Sequence, residues 1–308
     1  MEKMEYQQEY SKKFIDKFLI PIRKITDKVP KKVSIEVTTR CQLDCVYCTR
    51  EKDNPKDLPL NDLKRITDHL HGVEEIILCG MGETFCYPHL YNAVALLKDY
   101  KITIISNGAV PIHFEELNRA NNIRLIVFSI DAPTKEKMMA ICGGYRFDLL
   151  ERNLWELHKH PKISGIINST LTTDNIDEIP SIIKFAKEHH LLAVNFELPI
   201  GNEEFTRENK ERIRKRIQEG TELAKKEGII INPFYRISCN TNGFLVPNIR
   251  LNGELYPCCN GMNQNTCVGN VFHEDITTLW EAKVVPLLQQ DAYCRNCKLT
   301  RNLWQLVS

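Results

Sequence analysis

Between residues 33 and 231, short β-branched runs alternate with amphipathic segments, and that alternation leaves few folds open. Residues 33–38 (VSIEVT), 75–78 (EIIL), 102–106, 125–130 (LIVFSI), 165–171 and 194–198 read as strands. Residues 59–70, 89–100, 115–120, 147–160, 179–190 and 208–227 read as the helices around them. Strands separated by helices join through right-handed crossovers into a parallel sheet. The expected fold is α/β, a partial (β/α)6 TIM-like barrel, with a doubly wound sheet as the other solution. In both, chemistry collects at the C-terminal ends of the strands.

The pattern changes after residue 232. Residues 244–256 read as a β-hairpin in which Asn252-Gly253 supplies a type I′ turn. A helix at 276–288, strained by Pro286, and a late cysteine pair follow. The expected organisation is an N-terminal helical extension at 1–32, the partial barrel at 33–232, and a small hairpin-plus-helix cluster-binding domain at 233–308. Residues 11–26 carry Phe14, Ile15, Phe18, Leu19, Ile22 and Ile25 on one helical face with interleaved lysines, which fits a capping helix and not a secretion signal. The basic run at 210–216 (KERIRKR) reads as the wet side of an amphipathic helix, because Ile213, Ile217 and Ala224 keep helical spacing.

Lys plus Arg total 41 and Asp plus Glu 40, a balance that gives no reason to expect nucleic acid or an anionic membrane as partner. No apolar run approaches the roughly 18 residues of a membrane span, so a cytoplasmic location is expected. Twelve cysteines are many for such a chain. In the cytosol, grouped cysteines bind metal or carry redox chemistry more often than they form disulfides. Cys41, Cys45 and Cys48 stand at Cys-x3-Cys-x2-Cys directly after the first expected strand. Thiolates this close on one loop can wrap an iron–sulfur cluster. A zinc site is the alternative, but structural zinc takes four ligands in two separated pairs, whereas three cysteines leave one position open.

The cysteine spacing, its place after the first strand and the aromatic Tyr47 before the third cysteine resemble the signature of the radical S-adenosylmethionine superfamily. Further matches follow in family order. Gly80-Met81-Gly82-Glu83 after the second strand resembles the Gly-Gly-Glu motif, with Met81 in place of the middle Gly and Thr84 where Pro is usual. Ser106-Asn107-Gly108 ends the third strand, and Ser129 with Asp131 ends the fourth. The resemblance implies that Tyr47, Gly80, Gly82, Glu83, Ser106, Asn107, Ser129, Asp131 and Asn168 contact S-adenosylmethionine, with bare glycine backbone approaching its amino group. Read singly, the same residues would be turns and helix caps.

Cys239, Cys258 and the pair Cys294-x2-Cys297 resemble the shortened SPASM, or twitch, module, which holds one auxiliary [4Fe–4S] cluster. A four-cysteine zinc knot on the same hairpin is the alternative. The full module has further cysteines beyond the final pair, and none follows Cys297 here, so one auxiliary cluster is expected.

The resemblance implies an electron donor such as flavodoxin or ferredoxin and a 5′-deoxyadenosyl radical that abstracts hydrogen from an unactivated carbon. The expected substrate is a peptide or natural product, with an aminoglycoside-type sugar close behind. The expected outcome is oxidation or crosslinking with the auxiliary cluster as acceptor. Thiol-assisted epimerisation stays open, because Cys142 and Cys259 sit in loops where an exposed thiol can return a hydrogen atom. A non-enzymatic zinc or iron–sulfur scaffold is the rival of another class.

Three plus four cysteine ligands predict about eight irons per reconstituted chain. A protein carrying both Cys258→Ala and Cys297→Ala should fall to about four, by metal analysis, and keep its cleavage of S-adenosylmethionine. One zinc plus about four irons in the wild type would establish the zinc knot instead.

Overall fold

The computed structural model describes residues 27–232, 246–258 and 265–307. The expected helix at 11–26, Cys239 and Cys259 lie outside them. Twelve strands run in chain order: β1 (Lys32–Glu36), β2 (Asp44–Cys45), β3 (Glu75–Cys79), β4 (Lys101–Ser106), β5 (Ile123–Ser129), β6 (Cys142–Gly143), β7 (Ser164–Thr170), β8 (Ala193–Glu197), β9 (Ile230–Ile231), β10 (Asn248–Ile249), β11 (Glu254–Tyr256) and β12 (Gly269–Asn270). Ten of them form one sheet in the order β12-β11-β10-β1-β3-β4-β5-β7-β8-β9, while β2 and β6 pair separately. The six long strands are parallel, as the alternation requires.

Each long strand turns one face to the helices. Val33, Ile35 and Val37 of the first strand and its extension are fully buried, as are Ile76, Leu78, Ile102, Ile104, Ile126 and Phe128. The opposite face is only half-buried in β3 and β7, where burial alternates residue by residue. Strands covered on both sides would bury both faces. A half-open second face is instead the wall of a cleft, and it carries Cys79, Ser129, Asn168 and Asn195. The charged helix Lys210–Glu227 buries Ile213, Ile217 and Ala224, and its wet face pairs Arg212 and Arg216 with Asp177 at 2.5 and 2.7 Å. Among the described residues no helix is long and apolar enough to cross a membrane.

The hairpin forms, but its turn differs from expectation. Gly253 has φ +79°, while Asn252 is not in the left-handed region that a type I′ turn demands at both centres. Gly253 N–H donates to Arg250 O, and Arg250 N–H to Glu254 O, both at 2.9 Å. This is a three-residue loop with its glycine in the left-handed position, the usual alternative for short hairpins. A Cβ at Gly253 would lie 2.5 Å from the Asn270 side chain, so the close approach of β12 also demands glycine. The expected helix at 276–288 is interrupted by a π turn over Trp280–Val284. Pro286 explains it: a proline inside a helix lacks the N–H and its ring clashes with the carbonyl four residues earlier.

The C-terminal part does not stand apart from the barrel. Its strand β10 pairs in parallel with β1, Ser34 with Asn248 and Ile35 with Ile249. Arg65 donates to Phe272 O at 3.0 Å and lies over the Phe272 ring at 4.8 Å. Ile276 N–H bonds His69 O, and the fully buried Trp280 donates its indole N–H to Asp27 O at 2.8 Å. At the far edge of the sheet the last helix, Lys298–Val307, reaches back to the barrel. Arg301 pairs with Glu203 at 2.8 Å, and Asn302 donates to Pro199 O at 2.6 Å. Chain beyond the barrel thus pairs with the β1 edge of the sheet and also holds the loop and helix that follow β8.

Trp280 is the largest fully buried side chain at the nearer junction. Trp280→Ala should lower stability to denaturant by about 3–5 kcal/mol, read from the urea midpoint. A shift worth less than about 1 kcal/mol would show that the C-terminal part is only loosely docked.

Candidate active site

The first three cysteines stand on one loop over the C-terminal ends of β1, β3 and β4. The chain leaves β1, and residues 38–40 are braced by a returning strap. Thr38 Oγ1 donates to Asp57 Oδ1, and Arg40 Nε meets Asp57 Oδ2, each at 2.6 Å. Beneath lies the Gly80–Glu83 turn. A Cβ at Gly80 would sit 2.3 Å from Thr38 O, and one at Gly82 would sit 2.2 Å from Arg40 O. Gly82 N–H donates to Thr38 O at 3.2 Å and Glu83 N–H to Arg40 O at 2.6 Å. The two glycines therefore let one loop pack directly on the backbone of the other. This need was not foreseen from sequence, which attributed the bare backbone to contact with S-adenosylmethionine alone.

Glu83 joins this turn to the end of β4. It is 2% exposed, and its carboxylate accepts from Ser106 Oγ (2.8 Å), Asn107 N (2.6 Å) and Phe85 N (2.9 Å). Burial pushes its carboxyl upward, and the three donors pull it back. Asn107 in turn meets the cysteine loop. Gln42 Nε2 donates to Asn107 Oδ1 at 3.0 Å, and Asn107 Nδ2 approaches Cys41 Sγ at 3.8 Å. Cys86 bonds Gln42 Oε1 at 3.5 Å, and burial pushes its thiol up to about 11.

Asp131 holds the other side. It is 1% exposed and accepts from the Tyr47 hydroxyl and from Thr170 N–H, the latter at 2.7 Å. Burial raises its carboxyl to about 6 despite both donors. The Tyr47 ring stays 37% exposed while its hydroxyl reaches inward. Asp131 is thus spent on clamping the cysteine loop, where the sequence suggested an open cofactor contact. Ser129 and Asn168 are register partners on β5 and β7, and Asn195 Nδ2 donates to Asn168 Oδ1 at 3.0 Å. Both belong to the half-exposed cleft wall.

Two features were illegible from sequence. Arg50 points its guanidinium back into the loop, towards Leu43 O, Thr39 O and Glu51 O at 3.4–3.5 Å. Strand β6 pairs antiparallel with β2, which places Cys142 directly opposite Cys45. Cys142 is 3% exposed and faces Cys45 across this strand pair. The expectation of an exposed hydrogen-donating thiol at Cys142 is therefore corrected: pairing of β6 with the cysteine loop buries it.

The donor set suits iron–sulfur ligation. Leu43 N–H points at Cys41 Sγ and Arg50 N–H at Cys48 Sγ, each at 3.5 Å. Backbone amides aimed at cysteine sulfur are the arrangement that supports cluster thiolates. Among the described residues no three ligating side chains are gathered around a single-ion position. In the C-terminal part, Cys258 and Cys294 are buried, and burial first, then the charge of Cys258, Cys294 and Cys297, raises the Tyr293 hydroxyl.

Residues 35–186 match the model of the radical SAM superfamily, and residues 239–298 match SPASM, an iron–sulfur cluster-binding domain. The chain belongs to the radical SAM superfamily and ends in a SPASM domain. Its cofactors are accordingly a [4Fe–4S] cluster, an auxiliary cluster and S-adenosylmethionine. Among curated relatives, it is 26% identical over 200 residues to the GTP 3′,8-cyclase of Chlorobaculum tepidum, covering 60% of each chain. It is also 26% identical over 187 residues to the AdoMet-dependent heme synthase of Methanosarcina barkeri, covering 56% of this chain and 52% of the relative. The match thus spans little more than half the length of these relatives. The fold matches Streptococcus suis SuiB bound to S-adenosylmethionine with TM-score 0.67 at 18% identity, covering 87% of this chain and 68% of SuiB. It matches anSMEcpe with bound AdoMet with TM-score 0.65 at 19% identity, covering 83% and 78%.

Changing Cys41, Cys45 or Cys48 to Ala should abolish reductive cleavage of S-adenosylmethionine, measured as 5′-deoxyadenosine. A wild-type rate in Cys45→Ala would remove this loop from the chemistry. Gly82→Val should strip iron from the same site, because its side chain collides with Arg40 O. Full iron retention in that variant would show that the two loops can separate.

Proposed function

We propose that this chain oxidises a peptide or peptide-like substrate at an unactivated carbon. In this reading Cys41, Cys45 and Cys48 hold the cluster that meets S-adenosylmethionine, and Cys239, Cys258, Cys294 and Cys297 hold the auxiliary one. When bound, the first cluster and S-adenosylmethionine supply a 5′-deoxyadenosyl radical, which takes the hydrogen atom.

The observation that carries the reading is a cavity of about 530 Å³ between the strap that follows the cysteine loop and the C-terminal hairpin. Its walls include Glu36, Arg50 and Met81 on the barrel side and Arg250, Glu254 and Tyr256 on the hairpin side. A volume in this range suits a small molecule or a few residues of peptide. The barrel-side wall includes Thr49, next to Cys48, and the hairpin wall ends at Tyr256, two residues before Cys258. A substrate seated there would meet chain adjoining Cys48 on one side and chain leading to Cys258 on the other. Arg250 Nε and Glu36 Oε2, 2.7 Å apart, fix the floor. Arg50 and Arg250 offer donors to carbonyl or carboxylate oxygens. Four cysteines on the auxiliary cluster leave no open iron, so taking an electron is its natural task, and that favours oxidation over return of a hydrogen atom.

The peptide class draws support from fold neighbours whose structures hold peptides: SuiB with the precursor peptide SuiA, and anSMEcpe with the Cp18Cys peptide. A one-electron donor such as flavodoxin or ferredoxin would supply the starting electron. The test is a reaction in D2O with the product of the neighbouring gene offered as substrate, read by mass spectrometry. Oxidation predicts a product two mass units lighter, with no deuterium at the reacting carbon. A product of native mass in H2O and one unit heavier in D2O would establish epimerisation instead, with Cys259 as the remaining thiol to test. Turnover of a nucleotide with the peptide untouched would overturn the substrate class.

A further inference from the structure

We infer that Cys142 is a positioning residue for the radical-generating cluster: its thiol donates a hydrogen bond to the Cys45 sulfur and makes that cluster easier to reduce. The inference rests on Cys41, Cys45 and Cys48 being the cluster's ligands.

The geometry is tertiary in origin. Strand β6 lies antiparallel to β2 with Asp44 opposite Gly143 and Cys45 opposite Cys142. Val46 N–H donates to Ile141 O at 3.0 Å and extends the pairing by one bond. A Cβ at Gly143 would stand 3.1 Å from Asp44 O, so the two strands approach closely there. Cys142 is 3% exposed, so its thiol is enclosed beside Cys45. Opposite residues on antiparallel strands hold their side chains on the same face, within about 5.5 Å at Cβ. The contact is therefore fixed by backbone pairing and does not depend on a flexible side chain.

Two of the three sulfurs have donors from the loops around them. Cys41 takes Leu43 N–H and Asn107 Nδ2, and Cys48 takes Arg50 N–H. For Cys45 the group placed to donate is the Cys142 thiol, its partner across the strand pair. Hydrogen bonds to ligand sulfur stabilise the form with more negative charge, which is the reduced cluster, and raise its potential. An S–H group is a weak donor in water, but burial strengthens a hydrogen bond by lowering the local dielectric. The cluster gains one electron from the external donor, and the Cys142 proton stays on its sulfur, so the thiol is neither oxidised nor consumed. Its burial also separates this role from attack on substrate, which needs an exposed thiol.

The test uses the full chain, reconstituted anaerobically, with redox titration followed by electron paramagnetic resonance. The signal of interest is the one that changes on adding S-adenosylmethionine. Cys142→Ala and Cys142→Val remove the donor with different packing, and Cys142→Ser keeps one. Both apolar variants should retain wild-type iron and show about a tenfold poorer reduction equilibrium, a fall of about 59 mV for a one-electron couple. Cys142→Ser should recover most of that loss. The inference is overturned if an iron-replete apolar variant titrates at the wild-type midpoint, or if Cys142→Ser falls as far as Cys142→Val. A wild type with no signal responsive to S-adenosylmethionine would overturn the ligand assignment first and this inference with it.

Discussion

The seat of the cysteine loop on the Gly80–Glu83 turn is the contact on which the site depends. Carbonyls of Thr38 and Arg40 lie where side chains at positions 80 and 82 would be. Only residues without Cβ let the two backbones meet and exchange hydrogen bonds from Gly82 and Glu83. A loop three cysteines long has little apolar surface of its own, so backbone pairing must hold it. Once it is seated, the thiols, the strap at 49–57 and the end of β4 have fixed relative positions.

Two buried carboxylates complete that seating. Glu83 satisfies two donors at the end of β4 and one in its own turn, and Asp131 joins Tyr47 to Thr170 across β5 and β7. A buried carboxylate is costly unless its oxygens are occupied, and here the occupants belong to different elements. The cost of burying each charge is thereby converted into positional precision between segments distant in the chain. Arg50 and the Cys45–Cys142 pairing add further ties from neighbouring loops. Side chains expected to face the cofactor therefore divide into two groups. Glu83, Ser106 and Asp131 hold the frame, whereas Ser129 and Asn168 remain on the half-open wall of the cleft.

The C-terminal part closes what a six-stranded barrel leaves open. Strand β10 adds to the free edge of β1, and the last helix docks beside the loop after β8. An open sheet edge exposes unpaired backbone donors and acceptors, and pairing with β10 removes that exposure at the first strand. The same attachment brings the strand preceding Cys258 to the rim of the cavity that begins at Glu36 and Arg50. Pairing of the hairpin with β1 and placement of Cys258 are thus one event.

Residue order along the chain determined the six parallel strands, found within two residues of their expected ends, because burial of alternate apolar residues is a local periodic signal. It also determined the grouping of Cys41, Cys45 and Cys48, since ligand spacing on a single loop is local. The tertiary structure alone decided that Asp131 faces Tyr47, that Cys142 meets Cys45, that Gly80 and Gly82 are demanded by a neighbouring loop, and that the late hairpin extends the first strand. Those contacts join segments far apart in the chain, and periodicity carries no record of which loops will meet. The Asn252-Gly253 turn shows the same limit at short range. The dipeptide fits a two-residue hairpin loop, yet packing against Asn270 and Phe272 and the register of β10 with β11 select a three-residue one.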